Sequence, residues 1–336
     1  MNKNKKFNLF DWYFKGANKD NDKLDINVLE KPNLSSFFKV LRKKFNKLLS
    51  ANLLFVFGNF PIFFFLLALS GILSDNTTAP LYQVWGPING IGKFDSDSTK
   101  ILSTIFGTHT ETTIINTPTI VFFCLGALVI FTLGFTKIGT TYIYRNILNG
   151  EPVFPMSDFF YVIKRNIKQA LVLGIIDSLF IGMFIYNISY LYKAYELSSM
   201  NSLMFFFTLA MCIIYSFVRP YAYLIAFTFD MKLRKIIKNA VFFILLGLKR
   251  NLMALLGIIV VIIINYCIFL LLMPLGLILP FIITFAVCDF IQVYAAYPVI
   301  LKYMVSDEDR NRIIYRTNSV EDNDEASDEI EEETEG

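Results

Sequence analysis

Apolar runs of membrane length alternate along this chain with shorter stretches in which apolar residues recur at helical spacing among lysines and arginines. The long runs cover Ala51–Leu73, Pro118 to about Asn149, Gln169 to about Tyr190, Ser202–Phe229, Asn251–Leu272 and Leu277–Leu301. About 20 apolar residues cross a bilayer core, so the pattern predicts an all-α, polytopic membrane helix bundle with about six transmembrane helices. The second run is longer than one crossing needs, which predicts a projecting end or a bend near Gly134 and Gly139. In the fourth run Arg219-Pro220 predicts an interruption, and Met273-Pro274-Leu275-Gly276 a tight turn between the last two spans.

The short stretches read as interfacial amphipathic helices. In Leu34–Leu49, Phe37, Phe38, Leu41, Phe45 and Leu48 interleave with Lys39, Arg42, Lys43, Lys44 and Lys47. Met156, Phe159, Phe160, Ile163 and Ile167 share one face, with Asp158, Lys164, Arg165 and Lys168 largely opposite. Leu233, Ile236, Ile237, Ala240, Val241 and Ile244 form a third face, with Lys232, Arg234, Lys235 and Lys238 across from it. The unit of span, basic amphipathic helix, Lys-Arg-Asn and span occurs twice, over Pro118–Tyr190 and Ser202–Leu272. A duplication of this kind predicts the same path for both segments. Chance is the competing explanation in a chain so rich in Lys and Asn.

Three regions follow: a polar arm over 1–33, a six-helix transmembrane domain over 34–305 and an acidic tail over 306–336. Phe7, Phe10, Trp12 and Tyr13 are docking candidates in the arm. The turn-rich loop 74–117 holds only Lys93 and Lys100 as basic residues and is expected outside, with Leu81, Tyr82, Val84, Trp85 and Ile88 resting on the membrane. All the basic clusters fall on the opposite side. By the positive-inside rule that side, and with it both termini, is cytoplasmic. Lys164, Arg165, Lys168, Lys249 and Arg250 form a basic collar there.

Composition agrees with this reading. Hydrophobic residues make up 55% of the chain and charged ones 18%, and mean hydropathy is +0.52. The formal charge of +3 conceals an asymmetry, because ten of the 28 acidic residues lie in Glu321–Glu335; without them 31 basic residues face 18 acidic ones, a net +13. A basic body on a membrane protein points to the anionic inner leaflet and not to nucleic acid. Cys124, Cys212, Cys267 and Cys288 sit inside apolar runs, which argues against disulfides and metal, and His109 is the only histidine. No cofactor is expected. No cleavable leader is visible, and the first apolar run starts too late to be one. The bias toward Lys, Asn, Ile and Phe suggests an AT-rich bacterial genome, which discounts the glycosylation sequon Asn76-Thr77-Thr78.

Charges also fall inside the spans. Asp177, Arg219 and Asp289 lie about 12–18 Å from the inner ends at ~1.5 Å per residue, close to one layer. Buried charges in a membrane are costly and face partners or a wet cavity. Either they line a substrate or proton path, with Arg219 countering one or both carboxylates, or they form a structural ion pair that fixes packing.

FNLFDWYFKG, RKKFNKLLSANLLFVFGNFPI, YRNILNGEPVFPMSDFFYVIKRNIKQALVLGIID, IKNAVFFILLGLKRN and FIQVYAAYPVILKYMV together resemble the YesL-like family of bacterial integral membrane proteins, a domain of unknown function. The long loop and the acidic tail depart from shorter members. The resemblance implies association with carbohydrate ABC transport, with ABC sugar permease subunits as partners and no catalytic residue. Two functions stay open: a non-enzymatic accessory component of carbohydrate uptake, or a stand-alone small-solute transporter or channel using the intramembrane charges.

Overall fold

The fold is described from a computed structural model, which covers residues 32–70, 75–76, 113–114, 117–194, 198–229 and 231–309. The proposed docking residues of the arm, the surface-resting residues of the loop, His109 and the acidic tail beyond Asp309 lie outside these described residues. In chain order the helices are α1 (Leu34–Lys43), α2 (Phe45–Gly58), α3 (Pro61–Leu69), α4 (Thr117–Ala127), α5 (Val129–Leu148), α6 (Pro155–Arg165), α7 (Ile167–Lys193), α8 (Ser199–Thr228), α9 (Leu233–Leu246), α10 (Leu248–Leu271), α11 (Met273–Leu279) and α12 (Phe285–Met304). A π-helical turn, Pro280–Thr284, joins the last two.

Five helical stretches are long and apolar enough to cross a membrane: Thr117–Leu148, Ile167–Lys193, Ser199–Thr228, Leu248–Leu271 and Met273–Met304. Phe45–Gly58 and Pro61–Leu69 make a sixth if the pair is one span. The protein is a polytopic helical membrane bundle. Large apolar side chains on its outer surface, such as Leu271 at 82% exposure and Phe57 at 71%, are what lipid solvates.

The described residues fall into two compact units. Phe60–Val129 is one. In it α3 packs on α4, where Gly126 lets the backbone of Phe65 approach and Phe64 and Phe65 meet Phe122 and Phe123 edge to face. A short antiparallel pairing, β1 (Asp75–Asn76) with β2 (Thr113–Ile114), also belongs to it.

The other unit contains a motif used three times. A short amphipathic helix meets an apolar helix at a single elbow residue: Lys44 between α1 and α2, Asn166 between α6 and α7, and Gly247 between α9 and α10. Their backbone angles agree, at φ −105 ψ 22, φ −120 ψ 30 and φ −99 ψ 14. The elbow N–H donates to the carbonyl four residues back, on Val40 (2.8 Å), Val162 (3.0 Å) and Phe243 (2.8 Å). The elbow carbonyl accepts from the amide four residues ahead, on Leu48 (3.1 Å), Ala170 (2.9 Å) and Asn251 (2.9 Å). The chain therefore turns without stranding a backbone polar group, a condition that lipid imposes. Burial repeats in the same register. Phe37, Phe159 and Ala240 stand seven residues before the elbow, and Ala51, Leu173 and Ala254 seven after it; all are buried.

Val129–Lys193 and Ser199–Leu271 share the order apolar helix, amphipathic helix, elbow and apolar helix, and Leu34–Gly58 adds a third elbow. Aligning the elbows puts Asn166 opposite Gly247, so the two Lys-Arg-Asn triplets stand one helical turn out of register. The triplet is not what repeats; the buried face is. Each elbow leads into an outgoing apolar helix (α2, α7, α10), and a helix returns later in the chain (α5, α8, α12).

The return helices form the core. Tyr142 of α5 meets Phe227 of α8 with ring centroids 5.5 Å apart, Tyr144 of α5 meets Phe290 of α12 at 5.9 Å, and α8 packs along α12. The ends of α8 and α12 gather at the elbows. Arg165 Nη2 donates to the Phe227 carbonyl (3.0 Å), Tyr221 Oη donates to Asn251 Oδ1 (3.0 Å), and Tyr294 Oη donates to the Asn33 carbonyl (2.8 Å).

Three expectations change. α8 runs unbroken through Arg219-Pro220. Proline deletes one backbone bond, and a packed membrane helix absorbs that loss. α5 is likewise continuous through Gly134 and Gly139, and the interruption falls before it, at Leu128. These glycines serve contact. A Cβ on Gly134 would strike the Ala170 carbonyl oxygen and sit 2.6 Å from Gly174 Cα, and one on Gly139 would strike the Phe159 ring. Met273–Leu279 is a helical turn, with Gly276 set directly against the backbone of Phe269.

Candidate functional site

The three return helices each carry one charged residue well inside the helix: Lys137 on α5, Arg219 on α8 and Asp289 on α12. Asp177 on α7 joins them, eleven residues or roughly 16 Å beyond its elbow. The four make a layer with two positive and two negative charges.

Sequence spacing builds the first half of it. Tyr215, Arg219 and Tyr223 recur every four residues, so they form one stripe on α8. That stripe faces Asp177, which is 2% exposed. Tyr215 Oη donates to Asp177 Oδ1 (2.8 Å), while Arg219 Nη2 (2.7 Å) and Tyr223 Oη (3.2 Å) donate to Oδ2. The carboxylate has three donors, one on Oδ1 and two on Oδ2. Close passage of α5 against α7 at Gly134 and Gly174 supports the arrangement, because small residues let helices in lipid approach.

The second half joins α5 to α12. Lys137 Nζ donates to Asp289 Oδ1 at 2.5 Å, with side-chain exposures of 4% and 16%. Thr140 and Thr141 stand beside Lys137 and donate to carbonyls of their own helix. Arg219 lies within electrostatic range of both Asp289 and Lys137, so the pairs form one charge-balanced group.

Of the three expected residues, Arg219 contacts Asp177, and Asp289 is held by Lys137. Lys137, Tyr215 and Tyr223 are absent from the sequence-based reading. Their signals were present: Lys137 is the only charge between Pro118 and Tyr144, and the tyrosines flank Arg219 at four-residue spacing.

The α2 helix has its own polar contacts. Asn52 donates to the carbonyls of Pro280 (3.1 Å) and Phe281 (2.7 Å) and accepts from the Ala286 amide (2.7 Å), which satisfies backbone groups around the π turn. Asn59 donates to Thr136 Oγ1 at 2.8 Å.

At the elbow end the basic residues divide by role. Lys164, Lys168 and Lys249 are exposed, and Arg250 is half-buried. Arg165 closes the end of α8, an arrangement that suits a cation because carbonyls there carry partial negative charge. Arg145, absent from the expected collar, stacks over Tyr142 and Phe227 and pairs with Glu151 at 3.6 Å. The four cysteines are free, and among the described residues no group of three or more His, Cys, Asp or Glu side chains could hold a metal ion.

No protein-family profile, no curated protein and no solved structure matches this chain.

Proposed function

We propose that the protein is a non-enzymatic accessory component of the bacterial cell membrane, with both termini cytoplasmic, that associates with an ABC-type carbohydrate uptake system. The observation that carries this reading is the closure of the charge layer. Asp177 is held by three donors and Asp289 is bound by Lys137, so the charges tie together α5, α7, α8 and α12. Charges paired across helices in this way suit a rigid scaffold better than a solute path. The basic elbow face, lying on the anionic inner leaflet, then offers Lys164, Lys168 and Lys249 to partners. Resemblance to the YesL-like family supplies the carbohydrate-transport context.

The test is capture of tagged full-length protein from native membranes in mild detergent, read by quantitative mass spectrometry. ABC permease subunits at near-equal amounts support the accessory role; recovery of this chain alone opposes it. One observation favours the alternative, a small-solute transporter or channel. Asp289 retains 16% exposure and holds a single partner. Flux in liposomes that is lost on Asp289→Asn would establish that alternative.

A further inference from the structure

In the larger unit, the buried polar atoms that lack a partner lie in the charge layer or to one side of it, among the described residues. Besides Thr119, which belongs to the 60–129 unit, they are Tyr144 Oη, Asn149 Oδ1, Gln169 Oε1, Arg219 Nε, Thr228 Oγ1 and Gln292 Oε1. Arg219 stands in the layer itself. Tyr144 and Asn149 follow Lys137 on α5 and in the turn after it, Thr228 ends α8, Gln292 follows Asp289 by one turn of α12, and Gln169 opens α7. Each of these positions lies between the layer and the elbows. The opposite halves of α7, α8 and α10 contribute none among the described residues.

Tyr144 makes the case most sharply. It is 1% exposed, it packs on Phe290 beside Asp289, and its hydroxyl has no partner. Gln292 lies one turn from Asp289 on the same face of α12. Buried polar groups in proteins are nearly always satisfied, and ordered water supplies what side chains do not. The chemistry of the set identifies the occupant. A guanidinium N–H and hydroxyls donate, three amide oxygens accept, and no net charge of either sign is favoured. A molecule that both donates and accepts fits this set, whereas an anion or a cation does not.

We infer that the half of this bundle between the charge layer and the elbows holds a file of ordered water that reaches the Lys137–Asp289 pair, and that the half beyond the layer is dry. Asp289 is then in aqueous contact from the elbow side alone. This goes beyond the accessory reading and does not depend on it.

The test uses the full chain in lipid nanodiscs, which leave both faces open. The four native cysteines are replaced by serine, and single cysteines are placed three residues to either side of Asp289, as Ala286→Cys or Gln292→Cys. Methyl methanethiosulfonate, small and neutral, reports water contact because only thiols that water allows to ionise react with it. The expected result is modification of the position-292 variant at least about ten times faster than the position-286 variant. Equal rates, or faster reaction at 286, overturn the inference. Should Gln292→Cys fail to yield folded protein, Tyr144→Cys against a variant retaining only native Cys212 makes the comparison between the two halves. There too, reaction at 144 must be the faster, and equal rates overturn the inference.

Discussion

Replacing Asp177 by Asn leaves shape nearly unchanged and removes one charge. The asparagine oxygen can still accept from Arg219 and Tyr223, and its amide can donate to Tyr215 where Oδ1 now accepts. What is lost is the counter-charge of Arg219, whose side chain is only 20% exposed. Removing one partner of a buried pair costs about 3–5 kcal/mol. Residual exposure of Arg219, together with the field of Asp289, moves the expectation to about 2–3 kcal/mol. Arg219→Gln should cost a similar amount, since it leaves a carboxylate held only by two hydroxyls. In the double variant two neutral amides face each other, and the loss should fall to about 1 kcal/mol, a coupling of about 3–5 kcal/mol. An ordinary interhelical hydrogen bond in a membrane protein is worth only about 0.6 kcal/mol, so the two cases are separable. Folded fraction can be read by pulse proteolysis of the full chain across a titration of SDS in mixed micelles. Coupling under about 1 kcal/mol would refute the view that this ion pair locks α7 to α8.

Other outcomes follow from the same contacts. Gly134→Ala forces α5 off the backbone of α7 and should destabilise by about 1–3 kcal/mol in the same titration. Gly182→Ala, where a Cβ would meet nothing within 4 Å, should be neutral or slightly stabilising. Lys137→Met leaves Asp289 unpaired and should reduce the yield of monodisperse protein on size exclusion; adding Asp289→Leu should restore most of it. Burial raises the Asp158 carboxyl on the amphipathic helix α6, against the lowering effect of the Phe154 amide. Its contribution to stability is therefore full below the unfolded pKa and is lost as pH rises through the folded one. Asp158→Asn should flatten the fall in thermal midpoint between acidic and neutral pH; an unchanged slope counts against this assignment.

Much of the architecture is written plainly in the apolar runs, because lipid demands uninterrupted helices of set length. The amphipathic helices are equally plain, since α1, α6 and α9 alternate Lys and Arg with a buried stripe at helical spacing. The third copy of the motif is hidden by its continuation: Asn59, Phe60 and Pro61 divide its apolar run, so the run reads as a simple span. Pairing of charges is hidden for another reason. Depth along a helix follows from residue counting, but the direction in which Asp289 points depends on packing between helices far apart in sequence. Lys137 resembles an inner-end lysine reaching for the interface until α12 is set beside it. Pro220 and Gly134 show the converse error, in which a local preference to break a helix yields to the neighbours that hold it.

The account rests on three elbows that lie on one face of the membrane, and cysteine accessibility in the cell tests that most directly. Lys39→Cys, Lys164→Cys and Lys249→Cys place one thiol at each elbow, on exposed positions. With an impermeant maleimide, the account predicts no labelling of any of the three in intact cells and labelling of all three in inside-out vesicles. Labelling of even one elbow from outside the cell would contradict it.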